Sequence, residues 1–327
     1  MKNLITGFGN QLRHALEIGA SASLKKETKE IRSVMISGLG GSGIGGTIVS
    51  ELMAAECVVP ICSNKGYDLP EYINEHTLVI CSSFSGNTEE TLEAFEKAMA
   101  KGAEIACVTS GGKLLELAIE NKLNYIQLPT AESPRTMMGY STTQLLYLLN
   151  HYELVGDSFK SDLNKAATLI DGLQTEIQAD AELISDHIEG KMPIIYACDG
   201  YEGMAVRFRQ QLNENAKMLC WHNIVPEMNH NELVGWRNKD ENLAVIFFRN
   251  DTDYTRNQKR LEINKEVISK YTSSVMEYWS KGDSMIEKTF YLVNVGDHVS
   301  YIISKRNGVV AEEIEVINSL KDSLSEF

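Results

Sequence analysis

A glycine-rich segment near the start of the chain has the composition of an anion-binding turn. GLGGSGIGG occupies residues 38–46 and follows an apolar run. Gly40, Gly41 and Ser42 would bring free backbone amides and a hydroxyl to the start of a helix, where the helix dipole favours negative charge. The spacing fits a dinucleotide-binding GxGxxG turn, but no acidic residue ends the next predicted strand. The segment therefore suits phosphate better than a dinucleotide, and a tight turn without a ligand is the alternative.

A second segment combines hydroxyl side chains with a predicted helix start. CSSFSGNTEET, residues 81–91, follows another apolar run. Its candidate ligands for a phosphate monoester are Ser83, Ser85 and Thr88. Helix capping is the alternative, with Asn87 as N-cap and Glu90 closing a capping box, but capping leaves the upstream serines unexplained. Because ligands of open α/β sheets bind beyond the carboxyl ends of the strands, we expect both segments to face one crevice.

Two charged side chains further along the chain could take part in catalysis, one as a base and the other as a cation that stabilises an anion. Glu214 lies in LNENAK, residues 212–217, near the end of a helical run, and amides rather than like charges flank it. Such a carboxylate can act as a general base, and a solvated glutamate near Lys217 is the alternative. Arg135 follows Pro134 in a loop just after the last predicted strand of the first half. It could reach the same crevice and stabilise an anion, or form a surface salt bridge.

His230 and Lys321 complete the candidates. His230 lies in MNHNE, residues 228–232, inside an otherwise apolar segment, and imidazole exchanges protons near neutral pH. The alternative is a structural histidine fixed by Glu232. Lys321 lies in an apolar-periodic segment near the chain end, and Lys305 is the other lysine there that could fill the same role. The remaining histidines have no HExxH or HxH spacing, so we predict no metal ion and no other cofactor.

Alternating strands and helices would position these residues. Short apolar runs predict strands, and amphipathic segments between them predict helices, a pattern typical of a doubly wound parallel sheet. In the first half the predicted strands are residues 33–37, 57–62, 77–82, 104–108 and 124–128. The predicted helices are residues 3–19, 47–55, 88–100, 113–121 and 141–152.

The second half repeats this architecture. A polar stretch at residues 153–165 and a helical run to residue 187 precede predicted strands at 193–198, 243–248 and 273–277, and residues 283–327 are mostly helical. We predict an α/β protein with two doubly wound parallel-sheet domains in tandem and a helical C-terminus. Residues 1–153 would form the domain with the phosphate-binding loop, and residues 154–327 the domain with the base and the histidine.

The composition excludes several classes of partner. Among 327 residues, 31 Lys+Arg against 45 Asp+Glu give a net charge of −14, and no basic run is present, which argues against nucleic acid. No apolar stretch is long enough to span a membrane, and the N-terminus lacks the apolar core of a signal peptide. The 6 cysteines form no CxxC pair and are expected to be free thiols. We expect a cytoplasmic protein without membrane contact.

Several motifs resemble those of one family. SFSGNT at residues 83–88 is similar to the phosphosugar-binding signature of sugar isomerase (SIS) domains. The glycine-rich segment, LNENAK, SPRTMMGYS at 133–141 and PEMNHNELVGW at 226–236 resemble the bifunctional phosphoglucose/phosphomannose isomerases. Thr47 departs from the acid that this family commonly has after the glycines. The resemblance spans both halves of the chain and implies two SIS domains in tandem.

The resemblance also implies an activity and roles. The family interconverts glucose 6-phosphate or mannose 6-phosphate with fructose 6-phosphate through an enediolate, without a metal. By resemblance, Glu214 is the base, Arg135 stabilises the enediolate, His230 opens the sugar ring and Lys321 lies near the ring oxygen. It further implies a homodimer in which His230 reaches the site of the neighbouring chain.

Two other functions are compatible with SIS domains. A regulatory protein that binds phosphosugars without catalysis would keep the hydroxyl-rich loop and lack the base and the histidine, whereas this chain has Glu214 and His230. A glucosamine 6-phosphate synthase domain would normally accompany a glutaminase half with a nucleophilic N-terminal cysteine, and the chain begins with Met1 and Lys2. An isomerase is therefore the preferred hypothesis.

Overall fold

The fold is known from a computed structural model, which describes residues 1–26, 29–131 and 133–326. The helical prediction for residue 327 lies outside the described residues. Within the described part of the chain, the strands form two separate parallel sheets, one from each half. None of the helices described is both long and apolar enough to cross a membrane.

The first sheet is parallel and has the strand order β2-β1-β3-β4-β5. Its strands are β1 (Ser33–Ser37), β2 (Ile61–Asn64), β3 (Thr77–Ser82), β4 (Glu104–Thr109) and β5 (Asn124–Gln127). The helices of this half are α1 (Lys2–Thr6), α2 (Phe8–Ser21), α3 (Gly40–Leu52), α4 (Glu89–Ala100), α5 (Gly112–Glu120) and α6 (Met138–His151). The chain order reverses beside β1 and β3, so the crevice of this doubly wound sheet is expected at their carboxyl ends.

The second sheet is also parallel, with the order β7-β6-β8-β9. Its strands are β6 (Met192–Cys198), β7 (Trp221–Val225), β8 (Leu243–Arg249) and β9 (Val275–Trp279). The helices of this half are α7 (Ser158–Gly172), α8 (Gln174–Ile188), α9 (Glu202–Ala216), α10 (Thr255–Ile268), α11 (Met285–Arg306) and α12 (Glu315–Ser325). The predicted fold class, with its helical C-terminus, is confirmed.

Helices join the two halves into a continuous core. α3 packs against both α6 and α9, while α11 packs against α7, α8 and α9. The resulting apolar cluster contains Ile48 from the first half and Phe208 and Phe290 from the second. This shared core fixes α9 relative to the first sheet. The domain division between residues 153 and 154 stays a prediction.

Several predicted boundaries were wrong for identifiable reasons. The N-terminal helix is interrupted at Gly7, and the strand predicted at 57–62 is β2, Ile61–Asn64. The polar stretch at 153–165 overlaps a helix, because α7 begins at Ser158 and buries one face of its turns. β7 was not predicted, because this edge strand is only half-buried and lacks a continuous apolar run.

The glycine-rich segment is a helix rather than an extended turn, since α3 begins at Gly40 and not at residue 47. Close packing explains the glycines. A Cβ atom on Gly43 would lie 2.4 Å from the carbonyl oxygen of Gly38, and one on Gly46 would lie 2.8 Å from Ile36 Cγ2. Larger residues would push α3 away from β1, so the glycines set how closely the helix approaches the sheet.

Candidate active site

The two predicted phosphate-binding segments meet at the carboxyl ends of β1 and β3. The backbone amide of Phe84 donates to Ser42 Oγ at 3.2 Å. The hydroxyls of Ser83 and Thr88 are hydrogen-bonded to each other at 2.8 Å, and the amide of Gly86 donates to Ser83 Oγ at 3.1 Å. Ser85 Oγ accepts from the backbone amide of Asn87, two residues further along the same loop, at 3.3 Å. The segments therefore face one crevice, as their positions in the sequence predicted.

The start of α3 is open to a ligand. Gly40 has φ +53°, and Cβ atoms on Gly40 or Gly41 would meet nothing within 4 Å. The first backbone N–H groups of a helix have no partner within it, so this end of α3 can donate to an anion. The capping alternative for the second segment was wrong: α4 has Thr88 as its N-cap, without a side-chain capping bond. Asn87 instead accepts from the amide of Lys113.

Glu214 and Arg135 lie together, although one comes from each half of the chain. Arg135 Nε is 3.4 Å from Glu214 Oε2, and the two side chains are 12% and 27% exposed. Arg135 lies in a 3₁₀ turn, Pro134–Thr136, after the first sheet, while Glu214 lies in the last turn of α9. The contact brings a carboxylate and a guanidinium to the same edge as the phosphate-binding loops.

The packing of α9 on α3 explains this placement. The amide of Gly203, at the start of α9, donates to both carboxylate oxygens of Glu51, at 3.2 and 3.0 Å, near the end of α3. The start of α9 thus lies against the end of α3, and because the two helices also pack against each other, we infer that they run in opposite directions. Glu214, about 16 Å further along α9 than Gly203, thus lies toward the end of α3 that begins with Gly40.

Flanking amides hold the last turn of α9 in place. Asn213 Nδ2 donates to the carbonyl oxygen of Met218 at 2.8 Å, and Asn215 Nδ2 donates to Ser300 Oγ on α11 at 3.0 Å. Lys217 ends the helix in a left-handed conformation with φ 55°. These bonds fix the backbone on both sides of Glu214 while leaving its carboxylate free of them.

Residues 311–313, between α11 and α12, contact the side chains of Arg135 and Lys217, and we call them the C-terminal strap. Arg135 Nη2 donates to the carbonyl oxygens of Ala311 and Glu312 at 3.1 and 3.0 Å. Lys217 Nζ donates to the carbonyl oxygen of Glu313 at 2.6 Å. Burial lowers the pKa of Arg135, and the charge of Arg207 acts in the same direction while Glu214 opposes it. Arg135 Nη1 has no hydrogen-bond partner among the described residues.

His230 and Lys321 do not join this group within one chain. His230 is exposed and ends the 3₁₀ turn Glu227–His230, just beyond the carboxyl end of β7. Glu232 does not fix it directly; that carboxylate accepts from Trp221 Nε1 at 3.1 Å, Asn223 Nδ2 at 2.7 Å and the Tyr196 hydroxyl. Lys321 is exposed on α12, and none of the side chains described for this helix is buried.

Sequence reasoning missed a buried polar group behind Arg135. Arg207 on α9 and Asp297 on α11 form an ion pair with exposures of 3% and 5%, and Arg207 also donates to the backbone carbonyl of Arg135. The available signal in the sequence was an arginine between two apolar residues of a predicted helix, because a charge that is buried with such neighbours is normally paired.

Other side chains with metal or redox potential are dispersed. Within residues 1–26, 29–131 and 133–326, no three His, Cys, Asp or Glu side chains are grouped as metal ligands. The six cysteines are free thiols, as predicted, and Cys81, Cys107 and Cys198 are buried. Burial raises the pKa of Cys81 to about 12. These thiols behave as small apolar side chains.

Comparison with known proteins gives consistent results. The family described as bacterial phospho-glucose isomerase C-terminal SIS domain matches residues 177–324. The bifunctional phosphoglucose/phosphomannose isomerase of Caldicellulosiruptor bescii is 35% identical, over 97% of this chain and 96% of that protein. The protein of the same name from Thermoplasma acidophilum is 33% identical, over 91% of each chain.

A solved structure supports the fold. The C-terminal domain of glucosamine-fructose-6-phosphate aminotransferase from Francisella tularensis is similar with a TM-score of 0.73 and 13% identity, covering 95% of this chain and 97% of that one. At this identity the likeness concerns the fold alone. The two parallel sheets with their helices are sugar isomerase domains in tandem.

Proposed function

The chain belongs to the family of bifunctional phosphoglucose/phosphomannose isomerases, and from this premise we propose that it interconverts glucose 6-phosphate and mannose 6-phosphate with fructose 6-phosphate. The observation that carries the proposal is the approach of Glu214 to Arg135, 3.4 Å apart, at the edge where two hydroxyl- and glycine-rich loops meet. A base, a cation and an anion-binding crevice are the groups that an aldose-ketose isomerisation of a phosphosugar requires.

In the proposed reaction Glu214 removes the proton from C2 of the open-chain aldose. The C–H electrons form the C1–C2 double bond of an enediolate, and negative charge develops on the former carbonyl oxygen at C1. Arg135, whose guanidinium lies beside Glu214, stabilises this charge. The proton of the C2 hydroxyl moves to the C1 oxygen, the carbonyl forms at C2, and Glu214 returns its proton to C1, which gives the ketose and restores the carboxylate.

The phosphate would occupy the crevice between α3 and the loop after β3. Gly40, Gly41 and Ser42 supply amides and a hydroxyl from the start of α3, and the loop supplies further hydroxyls from Ser83, Ser85 and Thr88. In this arrangement the residues that bind the phosphate lie on the first domain, and the residue that removes the proton lies on α9. Substrate affinity and proton transfer therefore depend on different residues. A regulatory protein that binds phosphosugars without turnover would need only the residues that bind the phosphate.

Ring opening is assigned to His230 of a second chain. Glu214 precedes β7 and His230 follows it. The five residues of β7 span about 16 Å, so the two side chains lie near opposite ends of this strand. The exposure of His230 supports its reaching another molecule. We therefore propose a homodimer with shared sites, and Lys321 as the lysine near the sugar ring oxygen.

We further propose that the reaction needs no metal or other cofactor, and that the protein is cytoplasmic. A glutamate base with an arginine partner provides for both proton transfer and charge stabilisation, so a Lewis acid is not required by this mechanism. The free thiols fit a reducing compartment.

The test is an assay of the purified protein with each aldose phosphate separately, before and after exhaustive treatment with EDTA. Fructose 6-phosphate should appear from both substrates at rates that the chelator leaves unchanged. If phosphosugars bind but neither is converted, the protein is a regulator. If chelation abolishes turnover and zinc restores it, the metal-independent role of Glu214 is wrong.

A further inference from the structure

The buried ion pair behind the site connects the two residues that carry the proposed chemistry. Arg207 precedes Glu214 by seven residues on α9, two helical turns, so both lie on one face of the helix. Arg207 Nη2 donates to the backbone carbonyl of Arg135 at 2.7 Å. Arg135 is thus attached to α9 twice: through its backbone to Arg207 and through its side chain to Glu214.

Asp297 holds Arg207 in this position. Both oxygens of Asp297, on α11, accept from Arg207 Nη2 at 3.1 Å. Gln211, one turn further along α9 than Arg207, donates to Asp297 Oδ1 at 2.8 Å. Arg207 and Asp297 are both buried, so water contributes little to their solvation. The guanidinium therefore has a fixed direction, toward the turn that carries Arg135.

Stability alone is a poor explanation for this pair. Removing two charges from water costs several kcal/mol per ion, and well-packed apolar replacements of buried ion pairs are often neutral or stabilising. Burial raises the pKa of Asp297 in spite of the opposing effect of Arg207. What an apolar pair could not supply is the hydrogen bond to the Arg135 carbonyl, which fastens a loop of the first domain to the helix of the base.

We propose that Arg207, held by Asp297, is a positioning residue that sets the Arg135 guanidinium against the Glu214 carboxylate. The kinetic consequence rests on the proposed isomerase function. A displacement of about 1 Å at a reacting group can cost about 100-fold in rate. Loss of the attachment should therefore lower kcat, while KM changes little because the phosphate is bound by other residues.

The test uses the double variant Arg207→Met with Asp297→Asn, which removes both charges and the donor to Arg135 but keeps an acceptor for Gln211. The matched control is Arg249→Met with Glu277→Gln. That pair, whose side chains are 4% and 21% exposed, joins β8 to β9 at the edge of the second sheet opposite β7, away from the Arg135 turn. For each protein, kcat, KM and the unfolding midpoint are measured, and the distance from Arg135 Nε to Glu214 Oε2 is read from a crystal structure.

We expect kcat to fall about 10- to 100-fold in the first variant, with KM within about twofold of wild type and the Arg135–Glu214 distance beyond about 4 Å. The control should keep wild-type kcat. An equal loss in the control, or an unchanged distance in the first variant, overturns the positioning role. If the first variant does not fold, Arg207→Gln with Asp297→Asn, which keeps polar side chains at both positions but lacks the guanidinium, is read by the same criteria. A wild-type protein without isomerase activity refutes the proposed function instead, and the distance still decides the positioning claim.

Discussion

At the scale of the residue, the site separates groups that bind from groups that react. The hydroxyls of Ser83 and Thr88 are partners of each other, ready to exchange that bond for one to a phosphate oxygen. Glu214 has Arg135 on one side, at a distance longer than that of a tight ion pair. A partly exposed carboxylate in such a loose pair keeps lone pairs available for a proton of the substrate.

Replacing the two hydroxyls should weaken binding more than chemistry. We expect Ser83→Ala with Thr88→Ala to raise KM by at least about 100-fold, because hydrogen bonds to a charged group are worth about 1.5–3 kcal/mol each and about 1.4 kcal/mol corresponds to tenfold, with kcat reduced far less. Steady-state kinetics and calorimetric binding of fructose 6-phosphate check this. The matched control is Ser33→Ala with Thr77→Ala, a hydroxyl pair at 3.1 Å at the opposite edge of the same sheet. Unchanged affinity in the first variant would place the phosphate elsewhere.

At the scale of the element, α3 and α9 connect binding to catalysis. α3 brings the glycine-rich start to the phosphate crevice, and α9 brings Glu214 to the same end. Their other ends are joined by Glu51, whose carboxylate accepts the amide of Gly203. Burial raises the pKa of Glu51 to about 7, with Glu202 raising it further and the Gly203 amide and Lys65 opposing.

This raised pKa predicts how stability depends on pH. The folded state binds the Glu51 proton more tightly than the unfolded state, whose value is near 4.5. The contribution of this group to stability is therefore full below about pH 4.5 and is lost as the pH rises through about 7. Glu51→Gln removes the effect. The free energy of unfolding of the variant minus that of wild type should become more positive, by up to about 3 kcal/mol, between about pH 5 and about pH 8.

Urea unfolding of both proteins at the two pH values measures this difference. Glu56→Gln serves as the control, because that carboxylate lies just beyond α3 and is exposed. A difference that stays constant or becomes more negative as the pH rises would show that Glu51 is ionised in the folded protein throughout this range.

The sequence predicted buried elements better than half-buried ones. The bounds of β1 and β3 agree with prediction to the residue, because fully buried parallel strands appear as continuous apolar runs. β7 gives no such run, because polar residues interrupt its apolar ones and most of its residues are only half-buried. The helical glycines of α3 were read as a turn, because intrinsic propensity disfavours glycine in helices and tertiary packing overrides it here.

Two residues that meet in the candidate site were indicated by the sequence, whereas the hydrogen bonds that connect them to the rest of the protein were not. Residue types and motifs indicated Glu214 and Arg135, and the structure brings these two together. Nothing in the sequence indicated that backbone carbonyls of the strap would accept from Arg135 and Lys217. Carbonyl groups are common to all residues, so their use as ligands leaves no pattern in the sequence.

At the scale of the whole molecule, one core unites the two halves while two proposed catalytic residues stay apart. The apolar cluster extends from Phe8 to Ile303 and holds α9 against the first sheet. Glu214 comes before β7 and His230 just after it, so the two lie near opposite ends of this strand, and His230 is exposed. A two-fold dimer can bring the His230 of one chain to the Glu214 of the other, because each contact then occurs twice.

Mixing two inactive variants tests the shared site. In a dimer of Glu214→Gln with His230→Ala, one site would carry both changes and the other neither. After random reassociation of equal amounts, half of the dimers are mixed and half of their sites are intact, so about a quarter of wild-type activity should return. Native mass spectrometry verifies subunit exchange. A mixture that stays inactive after verified exchange would show that both residues serve the same chain's site.

The role of Glu214 in removing the C2 proton is tested most directly by solvent exchange. Glucose 6-phosphate is incubated with the EDTA-treated protein in D₂O, and loss of the C2 proton is followed by NMR. Wild type and Glu202→Gln, changed at the opposite end of α9, should exchange this proton as fructose 6-phosphate forms. Glu214→Gln should bind the sugar phosphate but exchange the proton at least about 100-fold more slowly. Exchange at a near wild-type rate in Glu214→Gln would contradict its assignment as the base.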